Sequence, residues 1–294
     1  MLVGIHGGAG KLSESRYKGE LLEDCKKALT NSLKSAFELI QKGATAVEAV
    51  ESAVVIMEDS GCFNAGRGSV YSHNETHEFD ASIMDGSTLN CGAVASVPEI
   101  KNPIMLAKIV MEESRHVLIS GREALQFAEQ YHIERESKEY FHSDYQLDRL
   151  KKIQAEDKFG TVGAVARDKY GGLAAATSSG GIVDKKFGRV GDSAIPGAGT
   201  YANNKTCAVS CTGEGEYFIR NVCAYDVSAL MEYCNWSINK SADFVIFDKL
   251  ASIHGSGGLI ALDSDGSFCA PFNTPGMFRA NIDSNGVFAL EVFK

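Results

Sequence analysis

The chain has 294 residues with a formal net charge of -9; 44% of them are hydrophobic and 23% charged, with 30 glycines against 5 prolines. That length is enough for one large core or two closely packed halves, and such glycine usage implies tight turns and close backbone approaches. Lys and Arg are scattered rather than striped, and no apolar run reaches membrane-spanning length, so neither nucleic acid nor a membrane is an expected partner.

Leu2 to Ile5 reads as a short apolar strand entering a glycine loop, His6-Gly7-Gly8-Ala9-Gly10-Lys11. The loop fails the Walker spacing and the dinucleotide fingerprint, which leaves a backbone passing close to something else. No basic n-region precedes the strand, so a cytoplasmic protein is expected. The eight cysteines include no Cys-x-x-Cys pair and read as small buried hydrophobes in a reducing compartment.

Helical periodicity runs from about Leu21 to Lys42 and stops at Gly43. Thr45-Ala46-Val47-Glu48 is a capping box that opens a second helix, to about Met57. A loop from Glu58 to Val70 leads to strands at Phe79 to Met84 and Leu89 to Val97. Pro103 then starts a helix through Glu113, and another covers Arg122 to Tyr131. Between Glu134 and Lys158, 13 of 25 residues are charged, with no glycine or proline. A solvated helix or a mobile linker fits that composition, and a linker of about 134–160 is expected.

The segment Phe159-Gly160-Thr161-Val162-Gly163-Ala164-Val165-Ala166-Arg167-Asp168 leaves this charged stretch and becomes a strand. A turn at Asp168 to Gly172 returns it as a second strand, Leu173 to Thr177, which sets Thr161 at the lip of a hairpin. A loop from Gly180 to Thr206, a strand at Cys207 to Thr212 and helices at Glu214 to Tyr233 and Ser241 to Leu250 follow. Strands at Gly258 to Leu262, Ser267 to Pro271, Gly276 to Ile282 and Val287 to Val292 close the chain. Two halves, each mixing helices with strands, predict two sheets face to face with helices outside.

A threonine inside a chain is a poor nucleophile because its hydroxyl has no base of its own. Scission between Gly160 and Thr161 would supply one, since the new α-amine, with a pKa of roughly 7.7 to 8, sits beside the hydroxyl. Glycine at 160 tolerates the backbone that such an attack needs. Arg189 and Asp192, in Gly188-Arg189-Val190-Gly191-Asp192-Ser193, can together grip the carboxylate and ammonium of an α-amino acid, or they can pair with each other or the surface. Thr212-Gly213 precedes a helix start, which suits an oxyanion hole or an ordinary helix N-terminus. The run Thr177 to Ser179 offers hydroxyls or a polar turn, and Asn64 either donates to a carbonyl or caps a turn. The seven histidines show no metal-ligand spacing, and no Gly-x-Ser-x-Gly elbow is present.

Taken together and in order, these pieces resemble one family. His6 to Gly10, Phe63-Asn64-Ala65-Gly66-x-Gly68, Asp80 to Gly86, Gly160 to Ala166, Ser178 to Gly181, Gly188 to Ser193 and Cys211-Thr212-Gly213-x-Gly215-Glu216 look like the plant-type L-asparaginase/isoaspartyl peptidase family, over nearly the whole chain. The resemblance implies an N-terminal nucleophile hydrolase: an α+β fold forming a four-layer αββα sandwich of two mainly antiparallel sheets with helices outside. It also implies a precursor that cleaves itself between Gly160 and Thr161 into an α subunit (1–160, with its linker) and a β subunit (161–294). Together these form one structural domain, assembled as a homodimer of heterodimers.

Position by position, Thr161 matches the nucleophile, Arg189 the residue gripping the substrate α-carboxylate and Asp192 the one binding its ammonium. Thr212 and Gly213 match the oxyanion hole, Gly215 a further substrate contact, and Asn64 a residue supporting the nucleophile. The loop Met57 to Arg67, through Met57, Glu58, Ser60, Phe63, Ala65 and Arg67, resembles a structural sodium-binding loop; no organic cofactor is implied. Ser179 stands where the family usually has a second threonine, so slower self-cleavage is expected. The implied activity is hydrolysis of β-aspartyl dipeptides and of the L-asparagine side-chain amide, both small substrates. A glycosylasparaginase-like amidohydrolase and an unprocessed amino-acid-binding relative are the alternatives.

Overall fold

The computed structural model describes residues 1–13, 17–152 and 160–294. In chain order the first part comprises β1 (Leu2–Gly10), α1 (Glu20–Lys42), α2 (Ala46–Asp59), β2 (Phe79–Asp85), β3 (Cys91–Val97), α3 (Pro103–Glu113), β4 (Leu118–Ser120), α4 (Ala124–Gln130), α5 (Lys138–Phe141) and α6 (Asp144–Lys152). After Thr161 come β5 (Val162–Arg167), β6 (Leu173–Ser179), β7 (Thr200–Ala202), β8 (Cys207–Gly213), α7 (Gly215–Asn221), α8 (Cys223–Cys234) and α9 (Ile238–Asp243). A π-helical segment, Phe244–Leu250, continues α9, and β9 (Gly257–Asp263), β10 (Phe268–Cys269), β11 (Gly276–Asp283) and β12 (Phe288–Phe293) complete the chain.

The strands form an eight-stranded sheet, ordered β12-β11-β1-β5-β6-β2-β3-β4, and a four-stranded sheet, ordered β10-β9-β8-β7. All pairings are antiparallel except β3 with β4. The apolar residues fall into three clusters. Leu29, Leu33, Val50, Val54 and Ile104 of α1, α2 and α3 pack with Ile5, Ala164 and Ala176 of the large sheet. Val227, Ile238 and Ala242 of α8 and α9 pack with Val209 and Leu259 of the small sheet. Between them, Val165, Ala175 and Met277 of the large sheet meet Ala208, Ile260 and Leu262 of the small one. The alternation along β5 explains this: Ala164 and Ala166 face the helices and Val165 faces the other sheet.

Local signals hold where the chemistry is local. Thr45 Oγ1 accepts from the Glu48 N-H while the Thr45 N-H donates to the Glu48 carboxylate, so the capping box is formed. Gly43, at φ 101°, ends α1 in the left-handed region.

Four expectations are corrected. The glycine loop from His6 is strand as far as Gly10, irregular only between His6 and Gly8. A Cβ on Gly7 would meet the Phe63 ring at 2.5 Å, so the glycines let a strand run through a crowded place rather than turn a loop. The helix from Glu214 to Tyr233 is broken at Val222, which takes φ 50°. There the N-H groups of Ala224 and Tyr225 donate to the carbonyls of Ala198 and Gly197, which redirects the axis. Short β4 and β7 were not anticipated, and Ser267 to Pro271 is strand only over Phe268–Cys269.

The expected linker is structured over much of its length. Within 138–152 lie α5 and α6; Phe141 is buried, its ring 4.9 Å from that of Phe79, and Gln146 Nε2 donates to the Gly68 carbonyl at 3.1 Å. High charge content hid these two anchors. Residues 153–159 of the expected linker lie outside the described residues. No helix among the described residues is long and apolar enough to cross a membrane.

Candidate active site

Thr161 lies immediately before β5, in the middle of the large sheet, and is buried. The hairpin register pairs Val162 with Ser178, which sets Ser179, at the end of β6, beside Thr161. Thr161 Oγ1 donates to Ser179 Oγ at 3.2 Å; Ser179 Oγ in turn accepts from the Gly181 N-H at 3.0 Å and donates to the Gly160 carbonyl at 3.2 Å. One hydroxyl thus holds the candidate nucleophile while polarising the carbonyl it would attack.

Asn64 reaches the same carbonyl from the loop after α2. Its Nδ2 donates to the Gly160 carbonyl at 2.9 Å and to the Gly181 carbonyl at 2.7 Å, and its Oδ1 accepts from the Val70 N-H at 3.0 Å. The side chain thus donates to two carbonyls at the site while its oxygen closes its own loop at Val70, so it does both things the sequence allowed. Gly8 of β1 packs against the Gly160–Thr161 bond: a Cβ there would stand 3.1 Å from Gly160 Cα and 3.2 Å from the Thr161 nitrogen, and φ is 108°.

Arg189 and Asp192 come from the loop between β6 and β7. With Gly160, Thr161, Ser179 and Gly213 they line one cavity of about 10 Å³, room for roughly one water. Arg189 does not pair with Asp192. Its Nε and Nη2 donate to the two oxygens of Glu216 at 2.9 Å each, a bidentate pair anchored on α7. Asp192 is buried with Oδ2 unpartnered, and burial pushes its carboxyl up to about 7 against the pull of the Arg189 guanidinium. A cation entering this cavity would find a ready partner.

Gly215 begins α7 against this pair; a Cβ on it would stand 2.8 Å from Asp192 Oδ1 and 2.9 Å from Arg189 Nη2. Gly213 lines the cavity, whereas Thr212 lies behind it, buried, with its Oγ1 accepting from the Ala9 N-H at 3.2 Å. That contact ties the small sheet to β1 and leaves the Thr212 hydroxyl proton available.

Met57 and Glu58 belong to the last turn of α2 rather than to a loop. Glu58 is fully buried, accepting from Ser178 Oγ at 2.6 Å and the Ile104 N-H at 3.2 Å, and burial pushes its carboxyl up to about 8. The turn that follows is lined with main-chain oxygens. A Cβ on Gly68 would stand 2.2 Å from the Phe63 carbonyl oxygen and 2.8 Å from that of Gly61. Oxygen donors suit a hard cation, and the end of α2 supplies carbonyls without intrahelical partners.

Other supporting residues escaped the sequence reading. Asp80, buried in β2, accepts from the Gly191 N-H at 3.0 Å and the Ser96 N-H at 2.8 Å, and so fixes the loop that carries Asp192. The hydroxyls of Ser82, Thr200, Thr177 and Ser210 lie 2.7, 2.6 and 2.7 Å apart in turn and end on His6 Nε2 at 2.9 Å. Burial pushes His6 down to about 3, so this ring is neutral. Asp80 stood within a quoted motif; the hydroxyl chain left no sequence signal, because its members are spread over five strands.

A family model described as asparaginase matches residues 1–158 and 148–291. The isoaspartyl peptidase of Salmonella typhimurium is 44% identical over 294 residues, covering 95% of this chain and 94% of the relative. The isoaspartyl peptidase of Escherichia coli is likewise 44% identical, with coverage of 95% and 92%. The isoaspartyl peptidase/L-asparaginase of Homo sapiens is 38% identical over 287 residues, with coverage of 94% and 91%.

Proposed function

Since the chain belongs to the asparaginase family, we propose that it is an isoaspartyl peptidase and L-asparaginase, a threonine amidohydrolase of the N-terminal nucleophile class. The observation that carries the mechanism is the placement of Thr161 Oγ1, Ser179 Oγ and Asn64 Nδ2 around the Gly160 carbonyl. In the intact chain, Thr161 Oγ1 adds to that carbonyl carbon, Asn64 and Ser179 hold the developing oxyanion, and the carbon-nitrogen bond breaks as the hydroxyl proton passes to the Thr161 nitrogen, leaving an ester on Oγ1. Water hydrolyses the ester, freeing a Gly160 carboxylate and the α-amine of Thr161.

The mature site repeats the chemistry on substrate. Arg189 takes the α-carboxylate of the aspartyl unit and Asp192 its ammonium. The Thr161 amine takes the Oγ1 proton as the hydroxyl attacks the side-chain carbonyl. The Gly213 N-H and the Thr212 hydroxyl receive the oxyanion, with Gly215 packed against the amino-acid end. The amine returns its proton to the leaving nitrogen, which departs as ammonia or as an amino acid, and water then releases L-aspartate.

This reading carries the finer architecture with it: a four-layer αββα sandwich, α (1–160) and β (161–294) chains, a dimer of such heterodimers, and a cytoplasmic location. Main-chain oxygens of Met57, Glu58, Ser60, Phe63, Ala65 and Arg67 would hold a sodium ion that stiffens the turn carrying Asn64. No step above passes through that ion or through an organic cofactor.

The test is intact mass and N-terminal sequencing after incubation at neutral pH, followed by assay on β-aspartyl dipeptides and L-asparagine. The expected result is two fragments, the smaller beginning Thr161-Val162-Gly163, with both substrates hydrolysed and Thr161→Ala inert in cleavage and turnover. Turnover by Thr161→Ala would overturn the mechanism. A lasting single chain would favour an unprocessed amino-acid-binding protein.

A further inference from the structure

His6 belongs to β1 and pairs with Gly163, just beyond the candidate nucleophile in β5. Its ring is fully buried in the space that Gly163 leaves open, where a Cβ would overlap both Ser210 Oγ and His6 Nε2. Nε2 lies 2.9 Å from Ser210 Oγ, at the end of the hydroxyl chain. Nδ1 is buried without a well-formed hydrogen bond, although the main chain of Thr161 is within reach of the ring. Burial pushes the imidazole down to about 3, and the Thr161 main chain opposes that push. An acceptor favours the protonated ring in this way, so it is the Thr161 carbonyl that faces His6.

A neutral imidazole carries one proton, and the hydroxyl chain offers two ways to place it. In one, Nε2 donates to Ser210, each hydroxyl donates to the next, and Ser82 ends the series on the Ser193 carbonyl at 2.7 Å. That order leaves a bare nitrogen lone pair against the Thr161 carbonyl, two buried acceptors face to face. In the other, Ser82 donates to Thr200 at 2.7 Å, Thr200 to Thr177 at 2.6 Å, Thr177 to Ser210 at 2.7 Å and Ser210 to Nε2. The ring proton then sits on Nδ1, where it can meet the carbonyl and relieve that clash.

In the uncleaved chain Thr161 is pinned through the Gly160 carbonyl, which Asn64 and Ser179 hold. Scission removes that tie and makes Thr161 a chain terminus, which stays ordered only where something holds it. Resting on the activity proposed above, we infer that His6 is a positioning residue of the mature enzyme: its Nδ1-H donates to the Thr161 carbonyl and holds the new terminus in line for attack. The hydroxyl chain from Ser82 fixes the tautomer. The neutral ring acts through the Thr161 main chain and exchanges no proton with substrate.

The tautomer is read by NMR of the self-cleaved protein carrying nitrogen-15-labelled histidine, the His6 signal being assigned by its loss in a His6 variant. A neutral ring protonated on Nδ1 and unchanged between about pH 5 and 8 is expected. A ring protonated on Nε2, or one that charges in that range, overturns the inference with no kinetics needed. Turnover of L-asparagine supplies the second readout, because the amide of His6→Asn falls near the place of Nδ1 and that of His6→Gln near the place of Nε2. His6→Gln is expected to lower kcat roughly ten- to a hundredfold, the cost of a misplacement of about 1 Å, with KM changed by less than about twofold. His6→Asn is expected to keep kcat within about threefold of the unaltered enzyme. Native kcat in His6→Gln, or equal losses in the two variants, would reduce His6 to a packing role. A cleaved protein inert toward both L-asparagine and β-aspartyl dipeptides overturns the activity itself, whereas the tautomer is read without turnover.

Discussion

The side-chain nitrogen of Asn64 donates to the carbonyl oxygen of Gly160, 96 positions further along the chain, at 2.9 Å. The loop that carries Asn64 is packed onto α2 at Gly66, where a Cβ would meet that of Glu58 at 2.6 Å. The donor is therefore in place before any cleavage occurs. Asn64→Asp keeps the shape but removes the donor and sets an anion against two carbonyls. Scission should slow by about 100- to 1,000-fold, the range for one oxyanion donor. A time course of intact mass checks this, and cleavage at the native rate would remove Asn64 from the mechanism.

Ser179 accepts from Thr161 and donates to Gly160 at 3.2 Å each. Its χ1 is less restricted than that of a β-branched residue. Ser179→Thr is expected to speed scission a few-fold and Ser179→Ala to slow it more than tenfold. The fraction cleaved, read from gel bands over time, decides between this and a merely structural hydroxyl, for which both variants would match the native rate.

Asp192 carries a pH dependence whose sign follows from burial, since its carboxyl is raised from 3.8 to about 7 in the fold. A carboxyl raised on folding adds no penalty while both states are protonated and destabilises the fold progressively as pH rises toward the folded value. Asp192→Asn should therefore gain stability over the unaltered uncleaved chain at pH 8 relative to pH 5, as read by denaturant midpoints. In the mature enzyme, L-aspartate should bind more tightly as pH rises through about 7, when the ionised carboxyl can meet its ammonium. That limb should vanish in Asp192→Asn.

The Arg189 fork is already held by Glu216 through two bonds of 2.9 Å. A lysine cannot reproduce this planar geometry while also meeting a substrate carboxylate. Arg189→Lys should raise KM for L-asparagine at least about tenfold with a smaller change in kcat. Steady-state kinetics measures the split, and an unchanged KM would argue against the carboxylate clamp.

Gly8 combines φ 108° with backbone atoms of Gly160 and Thr161 just over 3 Å from where a side chain would begin. Gly8→Ala should cost about 1–3 kcal/mol in stability and impair scission together. A thermal scan beside the mass assay would show whether the two losses coincide.

Much of this molecule was legible in the chain itself, because the deciding interactions are short-ranged. The Thr45 capping box, Pro103 at a helix start and the hairpin through Asp168 each depend on neighbours within a few positions. The hairpin set Thr161 at a strand end, but the expected strand stopped at Thr177; the place of Ser179 beside Thr161 came from the resemblance and from the register of the extended β6. The order of motifs likewise pointed to Thr161, Arg189, Asp192 and Gly213 as one site.

Tertiary structure alone decided how these residues are held. The pairing of Arg189 with Glu216, the grip of Asp80 on Gly191, the hydroxyl chain from Ser82 to His6 and the break at Val222 all depend on which strands lie side by side and how the two sheets stack. The helices α5 and α6 were hidden by their charge, although Phe141 anchors them in the core. The reason is that periodicity reports which face of an element is buried and carries no record of the distant partner that will face it. A buried polar group must find a hydrogen bond, but only the assembled sheets determine with which residue.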